Sequence, residues 1–139
     1  MAHITTMDYH EKINSAIITL ESGQEEIVRG SDQHLDAIIK LSEILKVVGD
    51  AFKVLTDDIE ENFNLFTEEQ AREVISNIFP IFPVADKLLT TIAKTGLDAD
   101  LPQLLADFRA EFSELREMVH DLSRFKANDT SEWDEIFKD

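Results

Sequence analysis

The chain has 139 residues, 13 basic and 29 acidic side chains, a formal net charge of −16 and no cysteine. A field of that sign repels nucleic acid and anionic membrane and attracts basic partners. The absence of thiols excludes disulfides, thiolate metal sites and cysteine nucleophiles. Hydrophobic residues make up 43%, while 4 Gly and 3 Pro leave little loop material, so a single helical domain of ordinary size is expected. Residues 1–6 contain no basic region and no apolar run, so no signal peptide is expected. No stretch approaches the roughly 18 uninterrupted apolar residues of a membrane span. A cytoplasmic setting fits these features.

Apolar residues then recur at alternating spacings of three and four, the rhythm of one helix face. The first segment, 6–29, carries Ile13, Ile17, Leu20, Gln24 and Ile27, with His10 on the extrapolated seam. The second, 32–63, carries His34, Ile38, Leu41, Leu45, Val48, Phe52, Leu55 and Ile59. Ser31 or Asp32 can cap it, and Gly30 is placed to end the helix before it. The third, 67–95, carries Ala71, Ile75, Ile78, Phe82, Ala85, Leu89 and Ile92, and Gly96 follows it. It opens on a capping box, Thr67-Glu68-Glu69-Gln70, with Phe66 and Ala71 placed as a hydrophobic staple. The fourth, 100–126, carries Leu101, Leu105, Phe108, Phe112, Leu115, Val119 and Leu122. Asp98 or Asp100 can cap it, and Pro102 falls in its first turn, where a missing N–H is harmless. Ile18, Ile44, Val47, Val54, Ile81 and Met118 widen the stripes beyond a bare coiled-coil seam.

Connections this short imply that consecutive helices are antiparallel neighbours. The expected fold is therefore all-α: an antiparallel up-down-up-down four-helix bundle over residues 1–128. A short acidic amphipathic helix is expected to follow in the tail, 129–139. Broad apolar stripes also leave room for a homodimer.

Four features stand out as candidate sites. Pro80 and Pro83 lie inside the third segment, yet its apolar phase continues, which predicts one continuous kinked helix. Gly49 of the second helix falls at the same height. Gly49, Phe52, Pro80, Phe82, Pro83 and Phe112 thus mark either a close crossing filled by aromatics, the commoner meaning, or a small apolar pocket or hinge.

The acids Asp57, Asp58, Glu60, Glu61, Glu68 and Glu69 crowd one helix end, with no basic residue between Lys53 and Arg72. A charge run usually means a solvated face. Acids near a helix C-terminus, however, oppose the macrodipole by about 0.3–1 kcal/mol each. A partner's Lys or Arg would relieve that cost. In the tail, Trp133, Ile136 and Phe137 share one helical face, suited either to a partner's groove or to the chain's own bundle.

His120 is the fourth. Glu117-Met118-Val119-His120 has the Glu-x-x-His spacing of di-iron bundles, but it occurs once where two are needed. With Leu115 and Val119 in the core, Glu117 and His120 should point outward. His120-Asp121-Leu122 resembles the core of the histidine-kinase phosphoacceptor box. The usual Pro is missing, Phe125 occupying that region, and no glycine-rich ATP segment follows, so self-phosphorylation is excluded. An ordinary surface histidine is the simpler reading. No phosphate loop, nucleophile elbow or zinc motif occurs.

The sequence therefore predicts a non-catalytic interaction protein that uses no cofactor or metal: an adaptor, a regulatory subunit or a neutralising partner of a basic protein. The acidic residues and the tail aromatics would bind the partner. A sensory or carrier bundle holding a small apolar ligand, and phosphotransfer through His120, are the alternatives.

Overall fold

The computed structural model describes residues 8–28 and 34–127. Five α-helices make four rods: α1 (Tyr9–Val28), α2 (His34–Asn62), α3 (Glu68–Ile78), α4 (Ile81–Thr95) and α5 (Pro102–Leu122). The third rod is α3 followed by α4, and the chain is an all-α four-helix bundle.

Local chemistry sets the ends. Asp8 opens α1, its Oδ1 accepting the Glu11 N–H at 3.0 Å. Thr67 and Gln70 form the complete capping box at α3. Gly96 closes α4 in the left-handed conformation, φ 77°, which favours glycine. Residues 97–100 then form a tight 3₁₀ turn, so Leu101, not Asp98 or Asp100, stands at the N-cap of α5, with Pro102 next. The positions proposed to end α1 and cap α2, Gly30 to Asp32, lie outside the described residues, and so does the tail.

The third rod is two helices rather than one kinked helix. Pro80 has no N–H to donate, and Phe82 N–H reaches back only three residues, to Phe79 O at 3.2 Å. Phe79 and Pro80 nonetheless keep right-handed helical angles. Pro83 sits in the first turn of α4, where its missing N–H costs little. The rod therefore keeps its direction, and its buried face runs through the break as Ile75, Ile78, Ile81, Phe82 and Ala85.

Each rod reverses the direction of the one before, but the corners differ from those expected. The most extensive interface joins α2 to α5, followed by α1 to α4 and α1 to α2. Phe52 meets Phe108 and Phe112 at ring separations of 5.4 Å, and Gly49 faces Phe108. Farther along both rods, Lys126 Nζ lies 3.5 Å from Asn64 O, so α2 and α5 run in the same direction. Similarly, Leu20 lies beside Pro83 and Val84, and Gln24 Nε2 donates to Thr91 Oγ1 at 2.8 Å, so α1 runs with α4. Consecutive rods α2 and α3 thus occupy opposite corners and are not neighbours. At the centre of this arrangement Phe52, Phe82, Phe108 and Phe112 interlock as one buried cluster.

Leu45, Phe82 and Leu115 share the single core. The fourth seam is buried at every expected position. The first is rotated: Tyr9, Ala16 and Gly23 are buried, while Ile17, Gln24 and Ile27 are half-buried and His10 is exposed. In α4, Leu88 takes the core position expected of Leu89. Ile44 and Ile81 deepen the core, whereas Ile18, Val47 and Val54 face outward.

Candidate functional site

The acidic end is assembled where α1 begins, α2 ends and α3 starts. A 3₁₀ turn over Phe63–Leu65 joins α2 to α3, so all six candidate acids lie at one end of the bundle. They are not equivalent. Asp58 is half-buried and accepts a hydrogen bond from the Tyr9 hydroxyl, which ties the first turn of α1 to the last turns of α2. Glu68 pairs with Arg72 one turn on, at 2.7 Å. Asp57, Glu60, Glu61 and Glu69 are exposed, and among the described residues their side chains have no ion pair or hydrogen bond.

The fold also brings cations to this end that chain order conceals. After α5 the backbone makes a wider, π-type turn over Ser123–Ala127, which packs against α3. This places Lys126 at the α2–α3 turn, and Arg124 lies over the Phe125 ring at 5.2 Å. Leu65 and Phe125 are exposed apolar residues on the same end. A mixed surface of carboxylates, cations and exposed apolar side chains suits protein contact. Bond-making chemistry would need a general base or nucleophile held against a reacting atom.

The mid-bundle candidates do not form one lining. Phe52, Phe82 and Phe112 are buried ring against ring, with Phe82 and Phe112 at 5.8 Å. Pro80 and Pro83 are exposed on the outside of the third rod. Pro83 borders a recess of about 380 Å³ between α1 and α4. Gly49 faces α5, not the third rod. A Cβ there would collide with Glu111 Oε2 and stand 3.8 Å from Phe108, so the glycine lets the Glu111 carboxylate lie over the α2 backbone. Burial raises the Glu111 pKa, and the neighbouring Asp50, Asp107 and Glu114 raise it further, against the lowering effect of Lys53. This contact is invisible at sequence level, because nothing in the heptad pattern says that α2 packs on α5.

His120 is half-buried in the last turn of α5 rather than outward-facing, while Glu117 is exposed. Among the described residues no group of three His, Asp or Glu is arranged to hold a metal ion, and no helix is long and apolar enough to cross a membrane. Trp133, Ile136 and Phe137 lie outside the described residues. Comparison with protein-family models, characterised proteins and solved structures finds no match to this chain.

Proposed function

We propose that this chain is a non-catalytic, cytoplasmic interaction module that captures a basic protein through its acidic end. One observation carries the reading: Asp57, Glu60, Glu61 and Glu69 stand exposed and without counter-ions at one end. Three of them crowd the terminus of α2, where the helix macrodipole is already negative. No internal contact explains their placement, and a partner's Lys or Arg would lower their energy. Asp58 and Glu68, already bonded within the chain, contribute field more than contact. The adaptor, regulatory and neutralising roles all use this same surface. The carrier reading has less support, because the aromatic rings at that height fill the core with one another. Half-burial of His120 likewise lends little support to phosphotransfer.

Reversing Asp57, Glu60, Glu61 and Glu69 to Lys tests the reading. The variant should keep its helical circular dichroism, because all four side chains are exposed. Partners retained by the unmodified chain from source lysate should be basic, should be released by salt, and should be lost from the variant. Undiminished capture would remove this end from consideration.

A further inference from the structure

We infer that α3 is a hinged unit, which opens from the acidic end about Phe79–Pro80 while α4 stays packed on α1. A hinge forms where a few residues at the end of an element absorb the motion and the elements on either side have different packing partners. The third rod meets both conditions.

The backbone ladder is thin at the joint. Pro80 and Pro83 bring no N–H, so Ser76 O and Phe79 O lose the donors four residues on. Phe79 O recovers one from Phe82 N–H at 3.2 Å, a reach of three residues. On the α3 side the C-cap bond is Phe79 N–H to Ile75 O, at 2.9 Å. Phe79 and Pro80 keep helical angles. The joint therefore aligns the two halves without tying them into one ladder.

The halves also have different neighbours. Helix α4 packs chiefly on α1, whereas α3 packs chiefly on the π-type turn Ser123–Ala127, with a smaller contact to α1. Phe82 keys α4 into the central rings, meeting Phe112 at 5.8 Å. The buried side chains of α3 are Ala71, Val74, Ile75 and Ile78, all aliphatic. Less apolar surface holds α3 closed than holds α4, which puts it at the low-stability end of the fold. Charge adds little to its closure. The Arg72–Glu68 pair lies within α3. Among the described residues no ion pair ties Asp57, Glu60 or Glu61 of α2 to Glu69 of α3.

Opening separates Glu68 and Glu69 from the acids of α2 and uncovers Phe66, Ile75 and Ile78 beside them. The hinge thus sets which surface the acidic end presents. That consequence rests on the reading that the acidic end binds a partner. The opening itself does not, and its test uses no partner.

Native-state hydrogen exchange on the full chain, amide by amide in low denaturant, reads the opening. Amides of 72–78 should exchange through one shared, denaturant-dependent opening, about tenfold or more faster than those of 86–95. Pro80→Ala restores a donor to Ser76 O, so opening must then break a completed ladder. Amides of 72–78 should slow about tenfold or more in that variant, while those of 86–95 keep their rates.

Three results would each overturn the hinge, and the unmodified chain alone decides the first two. Equal exchange of 72–78 and 86–95 would mean that the rod opens as one body. Graded, denaturant-independent exchange along α3 would mean that its start only frays. Unchanged exchange of 72–78 in Pro80→Ala would place the opening away from this joint. Each leaves the acidic-end reading standing, and undiminished partner capture by the acidic-end reversal leaves the hinge standing.

Discussion

Substituting Gly49 with Ala sets helix propensity against a close contact, and the structure says which wins. Gly49 lies inside a 29-residue helix, far from either end. There an Ala is favoured over Gly by about 1 kcal/mol. Against this, the new Cβ would overlap Glu111 Oε2, too close to be tolerated. The next neighbour on α5, Phe108, is at an ordinary 3.8 Å, so only the carboxylate must move. That carboxylate ends a flexible side chain, is partly desolvated, and stands near Asp50, Asp107 and Glu114. Swinging outward relieves its desolvation and some of the repulsion. The propensity gain should therefore survive. Gly49→Ala is expected to stabilise the fold by up to about 1 kcal/mol, raising the Tm by roughly 4 °C for a chain of this size. Thermal unfolding followed by circular dichroism reads the change, and carboxyl NMR should show the Glu111 pKa returning toward its ordinary value. A loss of 1 kcal/mol or more, restored by adding Glu111→Ala, would refute the argument, because it would mean that the carboxylate is held where it lies.

The remaining predictions use other parts of the same scaffold. Burial and nearby acids raise the Glu111 pKa in the folded chain, so stability from this group is full below the ordinary glutamate range and falls as pH rises through the raised value. Glu111→Gln, which cannot ionise, should therefore be more stable than the parent at neutral pH and lose that advantage on acidification; equal stability at every pH would contradict this. Phe52 is fully buried between Phe108 and Phe112, so Phe52→Ala should cost about 3–5 kcal/mol by denaturant titration, and a loss near 1 kcal/mol would mean the rings do not pack as described. Thr67→Ala removes the cap of α3 and should cost about 1 kcal/mol, with Thr67→Ser close to neutral; an unaffected midpoint would show that the first turn of α3 is held by the Phe66 contact instead.

Fold class, rod number and most of the core were legible in the amino-acid sequence, because burial follows from apolar period and the periods here are long. Leu101 through Leu122 of α5 needed no correction. Errors arose where period alone decides too little. In α1, Ala16 and Gly23 are buried, but their smallness hides them from an apolar count, which puts the seam one position off, on Ile17 and Gln24. In α4, adjacent Leu88 and Leu89 are equivalent by composition and only packing separates them. The order of rods around the bundle was not legible. A short α2–α3 turn permits either a neighbouring or an opposite corner, and the apolar period does not distinguish them.

The candidate site was legible as a set of charges and illegible as a surface. Counting along the chain, the stretch from Lys53 to Arg72 has acids and no cation. In the fold, Lys126 reaches Asn64 within that stretch, and Arg124 precedes it by two residues in the same π-type turn. Asp58 is committed to Tyr9, 49 residues away in sequence. What a partner meets is therefore a smaller set of carboxylates than the sequence run suggests, set beside cations and exposed Leu65 and Phe125 rather than in a uniform negative field. Such a mixture favours a partner that presents both charge and apolar surface over a simple polycation. The same pairing of carboxylates with exposed apolar side chains recurs along α2, where Val47 and Val54 lie beside Glu43, Asp50 and Asp57. A partner that bridged the two surfaces would follow α2 along its outer edge, where exposed acids run from the middle of the bundle to its end.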